Sequence, residues 1–194
     1  MNNLYGGMTA LLLAVAVATP ATADTLDINL AGWQAVGAVD NAGNSRQQVD
    51  IGAASTVIGF EFIGLRFTAG ADSWLQDLTL SLTVPGVNQS TAPFMDLAPA
   101  AAATSGVFGP QSGSWAAPGA GFSFGAPFAL ANGQLLVTAY SSYLALGGET
   151  ISLTVNEGTL RVIFQPIPEP STYALMALGL VGLGLWARRQ QASR

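Results

Sequence analysis

The sequence predicts an all-β fold, an antiparallel β-sandwich of the jelly-roll type, flanked by an amino-terminal signal helix and a carboxy-terminal transmembrane helix. Short apolar runs alternate with polar residues at period two, and Gly, Pro, Ser and Asn separate the runs. No stretch of the central region has a convincing helical period. An up-and-down barrel is the alternative arrangement of the strands.

The clearest predicted strand runs from Leu78 to Val84, where Leu or Val alternates with Ser or Thr. Leu26–Leu30 alternates in the same way. Near the end of the central region, Ile151–Val155 and Thr159–Phe164 predict two strands of a hairpin, with the turn at Asn156–Gly158.

Between residues 57 and 68 the apolar pattern changes phase. A bulge at Ile63 and Gly64 would direct both sets of apolar side chains to the core, namely Ile58, Phe60 and Phe62 before it and Leu65 and Phe67 after it. Residues 91–121 are rich in Ala, Pro, Gly and Ser. We expect them to form a surface excursion packed by a few bulky side chains, or a partly disordered segment.

Composition excludes several classes of function. The chain has no His, Cys or Lys, which removes triads based on His, thiolate metal sites and Schiff-base catalysis. The acidic carboxyl groups are expected to be solvated loop residues, although Asp72 with Asp77, or Glu61 with Asp50, would be the candidate catalytic pairs. The net charge of −5 disfavours nucleic-acid binding. We therefore expect a protein that is not an enzyme.

One turn is dense in oxygen ligands. Asp40, Asn41 and Asn44 lie close together in sequence, and Asp50 follows a few residues later. Calcium binds six to eight oxygens from such loops, so a calcium site is one interpretation. The alternative is a loop whose Asx side chains fold their own backbone.

Tryptophan side chains offer a second candidate site, because their faces can stack on sugars. Trp74 precedes a predicted strand and is expected in the core, whereas the glycine-rich surroundings of Trp115 argue for exposure.

The amino terminus has the pattern of a secretory signal peptide, residues 1–23. An apolar segment at residues 9–18 is followed by Pro20, and Ala21 and Ala23 supply small residues at positions −3 and −1 of a cut before Asp24. Signal peptidase is the partner that this pattern implies.

The carboxyl terminus has three consecutive parts. Residues 167–172 contain Pro168, Glu169 and Pro170, residues 173–187 form an apolar segment predicted to be a transmembrane helix, and residues 188–194 are a basic cytoplasmic tail. The apolar segment is about 22 Å long as a helix, which is short for a hydrocarbon core of about 30 Å.

This tail resembles the PEP-CTERM sorting signal. The resemblance covers about residues 167–191 and implies that Pro168, Glu169 and Pro170 are the recognition triplet and that Arg188 and Arg189 are the basic stop. It further implies recognition by an exosortase, a membrane-embedded thiol transpeptidase of Gram-negative bacteria that make exopolysaccharide, with transient anchoring in the inner membrane.

From these features we expect residues 24–166 to be an exported, noncatalytic domain at the cell surface or in an exopolysaccharide or biofilm matrix. The alternative is a secreted carbohydrate-binding module, with or without calcium.

Overall fold

The computed structural model describes residues 22–52, 54–86, 92–143, 152–167 and 170–192. Its strands are β1 (Asp24–Asn29), β2 (Gln34–Ala35), β3 (Arg46–Asp50), β4 (Ser55–Ala69), β5 (Leu78–Thr83), β6 (Phe94–Ala98), β7 (Gly106–Ser114), β8 (Phe122–Gly125), β9 (Phe128–Leu130), β10 (Gln134–Ser141) and β11 (Leu153–Pro166). A 3-10 turn at Leu75–Asp77 precedes β5, and one helix, α1, spans Pro170–Ala192. Residues 1–21, most of the predicted signal helix, lie outside the described residues.

The strands form two antiparallel sheets. The first has the order β1-β11-β4-β7, with β2 also paired to β11 and β9 to β4. The second has the order β3-β10-β5-β6-β8. Every strand pairing in the two sheets is antiparallel. The predicted all-β, antiparallel character of the central region is therefore confirmed.

Both sheets contribute to one hydrophobic core. The first sheet supplies Phe60, Phe62, Leu65, Phe67, Val155, Leu160 and Val162. The second sheet supplies Leu78, Leu80, Leu82, Met95, Leu97, Leu135 and Val137. Each fully buried side chain of this size contributes roughly 1.5–3 kcal/mol relative to an exposed one, so this shared core is the main source of stability.

Strand β4 keeps one face in the core by means of irregularities in its pairing. The register of its pairing with β11 and with β7 shifts at Ile63 and Gly64, where the sequence predicts a bulge. Gly64 has a positive φ of 59°. A second shift lies near Ile58, between Gly59 and Val57. Because of that second shift Val57 points inward and Ile58 is 36% exposed, so the predicted inward position of Ile58 is wrong. The other four predicted side chains are buried.

The predicted hairpin at Asn156–Gly158 is also wrong. Residues 153–166 form the single strand β11, which pairs with β4 along its length. Gly158 lies in β11 at a register shift, facing the extra residue of β4 at Leu65. A glycine that resembles a turn signal in the sequence is therefore part of a bulge between two long strands.

Residues 91–121 contain more regular structure than expected. Strands β6 and β7 lie in this segment, and β7 pairs with β4 although it contains several glycines and a proline. The segment is therefore not a simple surface excursion.

Gly158 provides a test of the bulge. It has a φ of 135°, and a Cβ atom there would lie 2.8 Å from the Cα of Leu65. We expect Gly158→Ala to lower the free energy of unfolding by roughly 1–3 kcal/mol, because the backbone conformation is strained for alanine and β4 would have to move. Denaturant unfolding measures this change.

Gly59→Ala is the matched control, because a Cβ at Gly59 on β4 meets no atom within 4 Å. We expect it to change stability by less than about 0.5 kcal/mol. Equal effects of the two substitutions would contradict the assigned bulge.

Candidate functional site

The predicted sorting triplet adjoins the last strand. At the end of β11, Pro166 is paired with Ser55 of β4, and the Ile167 backbone N–H donates a hydrogen bond to the Ala54 carbonyl oxygen. Pro168 and Glu169 lie outside the described residues, and α1 begins at Pro170. Proline is favourable at the first position of a helix, where its missing N–H is not needed. Only Ile167 therefore separates the triplet from the paired end of β11.

Helix α1 contains the predicted apolar segment and the basic stop. Its described apolar side chains are largely exposed: Met176, Leu178, Leu180, Val181, Leu183, Leu185 and Trp186. Arg188 and Arg189 are exposed near the end of the helix, where positive charge complements the helix dipole. In the described part of the chain, no helix is both long and apolar enough to cross a membrane. The predicted transmembrane helix at residues 173–187 is thus not supported.

An aromatic depression forms where β4 passes into the 3-10 turn. It has a volume of about 220 Å³, and the described residues that line it are Ala71, Asp72, Trp74, Asp77 and Tyr143. The ring centroids of Trp74 and Tyr143 are 6.2 Å apart, and the rings are inclined by 31°. Trp74 is 45% exposed, so the expectation that it lies in the core is wrong.

Trp115, whose position the sequence leaves open, is partly buried. Its ring packs against the core, and its Nε1–H donates a hydrogen bond of 2.9 Å to the Phe124 carbonyl oxygen. Trp74 is thus the more exposed of the two rings. Local sequence misleads here, because Trp74 has an extended backbone between the buried Ser73 and Leu75, and its side chain points the opposite way.

The candidate catalytic acids have different placements. Asp72 and Asp77 line the aromatic depression together. Glu61 belongs to β4 of the first sheet, and Asp50 belongs to β3 of the second. Burial raises the pKa of Asp77, and a hydrogen bond from the Trp74 backbone N–H partly offsets the rise.

Asn44, one of the four proposed calcium ligands, is buried in its loop. Its Oδ1 accepts the Val36 N–H at 2.9 Å, and its Nδ2 donates to the carbonyl oxygens of Gly37 at 3.2 Å and Ala38 at 2.7 Å. The side chain therefore joins three backbone positions, as expected of a loop that folds its own backbone.

Asn41 and Asp50 make the short-range hydrogen bonds of Asx turns. The Asn41 Oδ1 accepts the Gly43 N–H, and the Asp50 Oδ1 accepts the Gly52 N–H, both at 2.8 Å. Asp40 is exposed. In the residues that the structure describes, no group of three or more acidic side chains is placed to hold a metal. The calcium site stays a prediction.

The predicted signal-peptide cleavage site lies at the start of the first strand. Strand β1 begins at Asp24, directly after the exposed Ala23, and Ala21 lies outside the described residues.

Comparison with known families decides the nature of the tail. Residues 166–189 match the family described as the PEP-CTERM protein-sorting motif. The chain carries a PEP-CTERM sorting motif. The match begins at Pro166, the last residue of β11, and ends at Arg189, the second arginine of the predicted basic stop. The motif implies export, processing by an exosortase and sorting to the cell surface.

Solved structures add little to this. A chain in the structure of the infectious bursal disease virus Gt strain is 14% identical, with 84% of this chain and 42% of that chain covered and a TM-score of 0.32. For the Gx strain of that virus the identity is 15%, with 84% of this chain and 42% of that chain covered and a TM-score of 0.25. For Desmodium yellow mottle tymovirus the identity is 9%, with 85% of this chain and 99% of that chain covered and a TM-score of 0.20. At these scores we draw nothing from the likeness, and no curated protein matches the sequence.

The sequence does not predict a half-buried acid, Asp96, on the second sheet. The Tyr140 hydroxyl donates a hydrogen bond of 2.8 Å to the Asp96 Oδ2, and the Asp96 Oδ1 is buried with no hydrogen-bond partner. Burial raises the pKa of Asp96, an effect that hydrogen bonds from Ser81 and Tyr140 partly offset. Burial and the adjacent Asp96 carboxyl also raise the pKa of Tyr140, which therefore remains neutral.

Substituting Asn44 separates the two interpretations of its loop. Asn44→Asp replaces a donor to two carbonyl oxygens by an acceptor, so we expect the free energy of unfolding to fall by roughly 1–3 kcal/mol in calcium-free buffer. Asn41→Asp, which keeps the acceptor for Gly43, is the control and is expected to change little. If calcium instead raised the melting temperature, and Asn44→Asp enlarged that increase, the loop would be a metal site.

Asp96 makes stability depend on pH. Its pKa in the folded state lies above the ordinary value of 3.8, so the folded state holds this proton more tightly than the unfolded state does. The stability contributed by this group is fully present below about pH 4 and is lost as the pH rises through the raised pKa. We expect Asp96→Asn to reduce this loss, measured as melting temperature between pH 4 and pH 8.

Asp24→Asn, at an exposed position, serves as the control for Asp96→Asn and should leave the pH profile as it is in the unsubstituted chain. An unchanged profile for Asp96→Asn would show that the carboxyl does not titrate differently on folding.

Proposed function

We propose that this protein is a noncatalytic component of the cell surface, or of the exopolysaccharide or biofilm matrix, of a Gram-negative bacterium. In this proposal, signal peptidase removes residues 1–23, and an exosortase processes the chain at the tail that contains Pro168, Glu169 and Pro170. The PEP-CTERM match over residues 166–189 is the observation that supports it. The absence of His, Cys and Lys from the sequence supports a noncatalytic role, because imidazole bases, thiol nucleophiles and Schiff-base amines are missing.

In the same proposal the exported domain, residues 24–166, is a β-sandwich of the jelly-roll type. Two antiparallel sheets that share one hydrophobic core support this assignment.

The second candidate function is carbohydrate binding by the exported domain. The observation that favours it is the exposed Trp74 ring beside the half-buried Tyr143, since an exposed aromatic ring suits contact with the apolar face of a sugar. Calcium dependence is part of this candidate only if the loop at Asp40–Asn44 binds the ion.

Replacing Pro168, Glu169 and Pro170 together by Ala tests the sorting proposal. We expect the domain to fold normally, because β11 ends before the triplet, while the protein stays with the cells and retains its tail. Mass spectrometry of cell and culture fractions, covering both termini, measures retention and processing.

The control for this variant is the replacement of Gln190, Gln191 and Ser193 by Ala, which changes three residues of the tail beyond the matched range. We expect normal processing of the control. If the triplet variant also appeared outside the cells at the mass of the processed protein, the triplet would not be the recognition element.

A further inference from the structure

Trp74 presents a large apolar ring to solvent from a segment that is otherwise buried. Its neighbours Ser73 and Leu75 are 1% and 8% exposed, whereas Trp74 is 45% exposed. The ring is therefore available for contact with a ligand. We propose that the depression lined by Trp74 and Tyr143 binds an uncharged sugar ring of a polysaccharide. This inference rests on the second candidate function and names its site.

The Trp74 segment is held firmly by hydrogen bonds on both sides. The Trp74 N–H donates to the Asp77 Oδ2 at 2.8 Å, and the Asp77 N–H donates to the Trp74 carbonyl oxygen at 3.0 Å. The next two backbone N–H groups donate to the segment that follows β6, from Leu75 to Thr104 and from Gln76 to Ala102. The ring therefore starts from a fixed backbone, which reduces the entropy that binding would have to offset.

Tyr143 reaches the depression from the segment that follows β10. The Ser142 N–H donates to the Asp77 carbonyl oxygen at 2.8 Å, which joins the end of β10 to the 3-10 turn. The Tyr143 N–H donates to the Ser141 Oγ at 3.2 Å. The two rings are thus brought together by the pairing of the sheet and by the turn, from residues nearly seventy positions apart in sequence.

The shape and size of the depression suit one ring of a chain. The Trp74 and Tyr143 rings, inclined by 31° with centroids 6.2 Å apart, lie too close together to admit a sugar between them, so a sugar ring would lie against the surface that they share. The volume of about 220 Å³ is smaller than the roughly 300 Å³ of the smallest pockets for drug-sized ligands. A terminal or protruding sugar residue matches this space better than a larger organic ligand does.

The chemistry of the lining selects a neutral ligand with hydroxyl groups. The aromatic faces can contact the C–H groups of a pyranose, and the exposed Asp72 carboxylate can accept hydrogen bonds from hydroxyl groups. The same carboxylate, with Asp77 behind it, repels carboxylated or sulfated sugars, as does the net charge of −5. A neutral polysaccharide is therefore the expected ligand class.

The test titrates the full-length chain with cellohexaose and mannohexaose as neutral probes and with oligogalacturonate as the acidic probe, using calorimetry with and without EDTA. We expect at least one neutral probe to bind, and Trp74→Ala and Tyr143→Ala each to weaken that binding by about tenfold or more. Trp74→Phe should restore part of the affinity. Circular dichroism melting verifies that each variant is folded.

Phe124→Ala is the matched control, because Phe124 is an exposed aromatic residue on β8 that is not among the described residues lining the depression. We expect it to bind as the unsubstituted chain does. If a neutral probe bound and Trp74→Ala left that binding unchanged, the proposed site would be wrong, whereas carbohydrate binding would stand as the function. If neither neutral probe bound, both the site and the carbohydrate-binding function would be wrong. Preference for oligogalacturonate, or loss of binding in EDTA, would overturn the proposed ligand chemistry.

Discussion

Strand β4 must keep one face in the core shared by the two sheets for all of its fifteen residues, and the rest of the structure depends on this constraint. A regular strand with its sequence would turn half of its large apolar side chains to the wrong face. The register shifts near Ile58 and at Ile63 and Gly64 return the apolar side chains to the core face. Gly158 of β11 accommodates the shift at Ile63 and Gly64. Because β11, β7 and β9 all pair with β4, its course sets the geometry of the first sheet.

The same strand relates the two candidate sites. At its start, Ser55 pairs with Pro166, next to the sorting triplet. Beyond its end at Ala69, the chain enters the Trp74 segment, which the Gly70 N–H fixes to the Ser152 carbonyl oxygen at 2.8 Å. Fifteen residues of strand span about 45 Å, so the tail and the aromatic depression are associated with opposite ends of β4.

The sequence predicted the features that depend on local pattern. Alternation predicted β1 and β5, and the phase change in β4 predicted the bulge at Gly64, because these signals lie within a few adjacent residues. It failed where distant residues decide the outcome. Strand β7 exists because β4 offers an edge to pair with, Gly158 lies in a bulge because Leu65 is opposite, and the environments of Trp74 and Trp115 depend on partners far away in sequence. The sorting motif was found because it is linear, whereas the Asp96–Tyr140 pair, formed between β6 and β10, was not.

The position of the sorting motif beside the sheet limits how an exosortase can bind it. Only Ile167 separates the triplet from Pro166, and the Ile167 N–H is itself bonded to Ala54. An enzyme that encloses several residues before Pro168 must therefore either fit against the end of the sheet or release the end of β11. Release is inexpensive at this position, since Pro166 is exposed and donates no hydrogen bond to the ladder. It cannot extend far, because Phe164 is 7% exposed and belongs to the core. The two residues of β11 that follow Phe164 thus set the length of strand that the domain can release for processing while it remains folded.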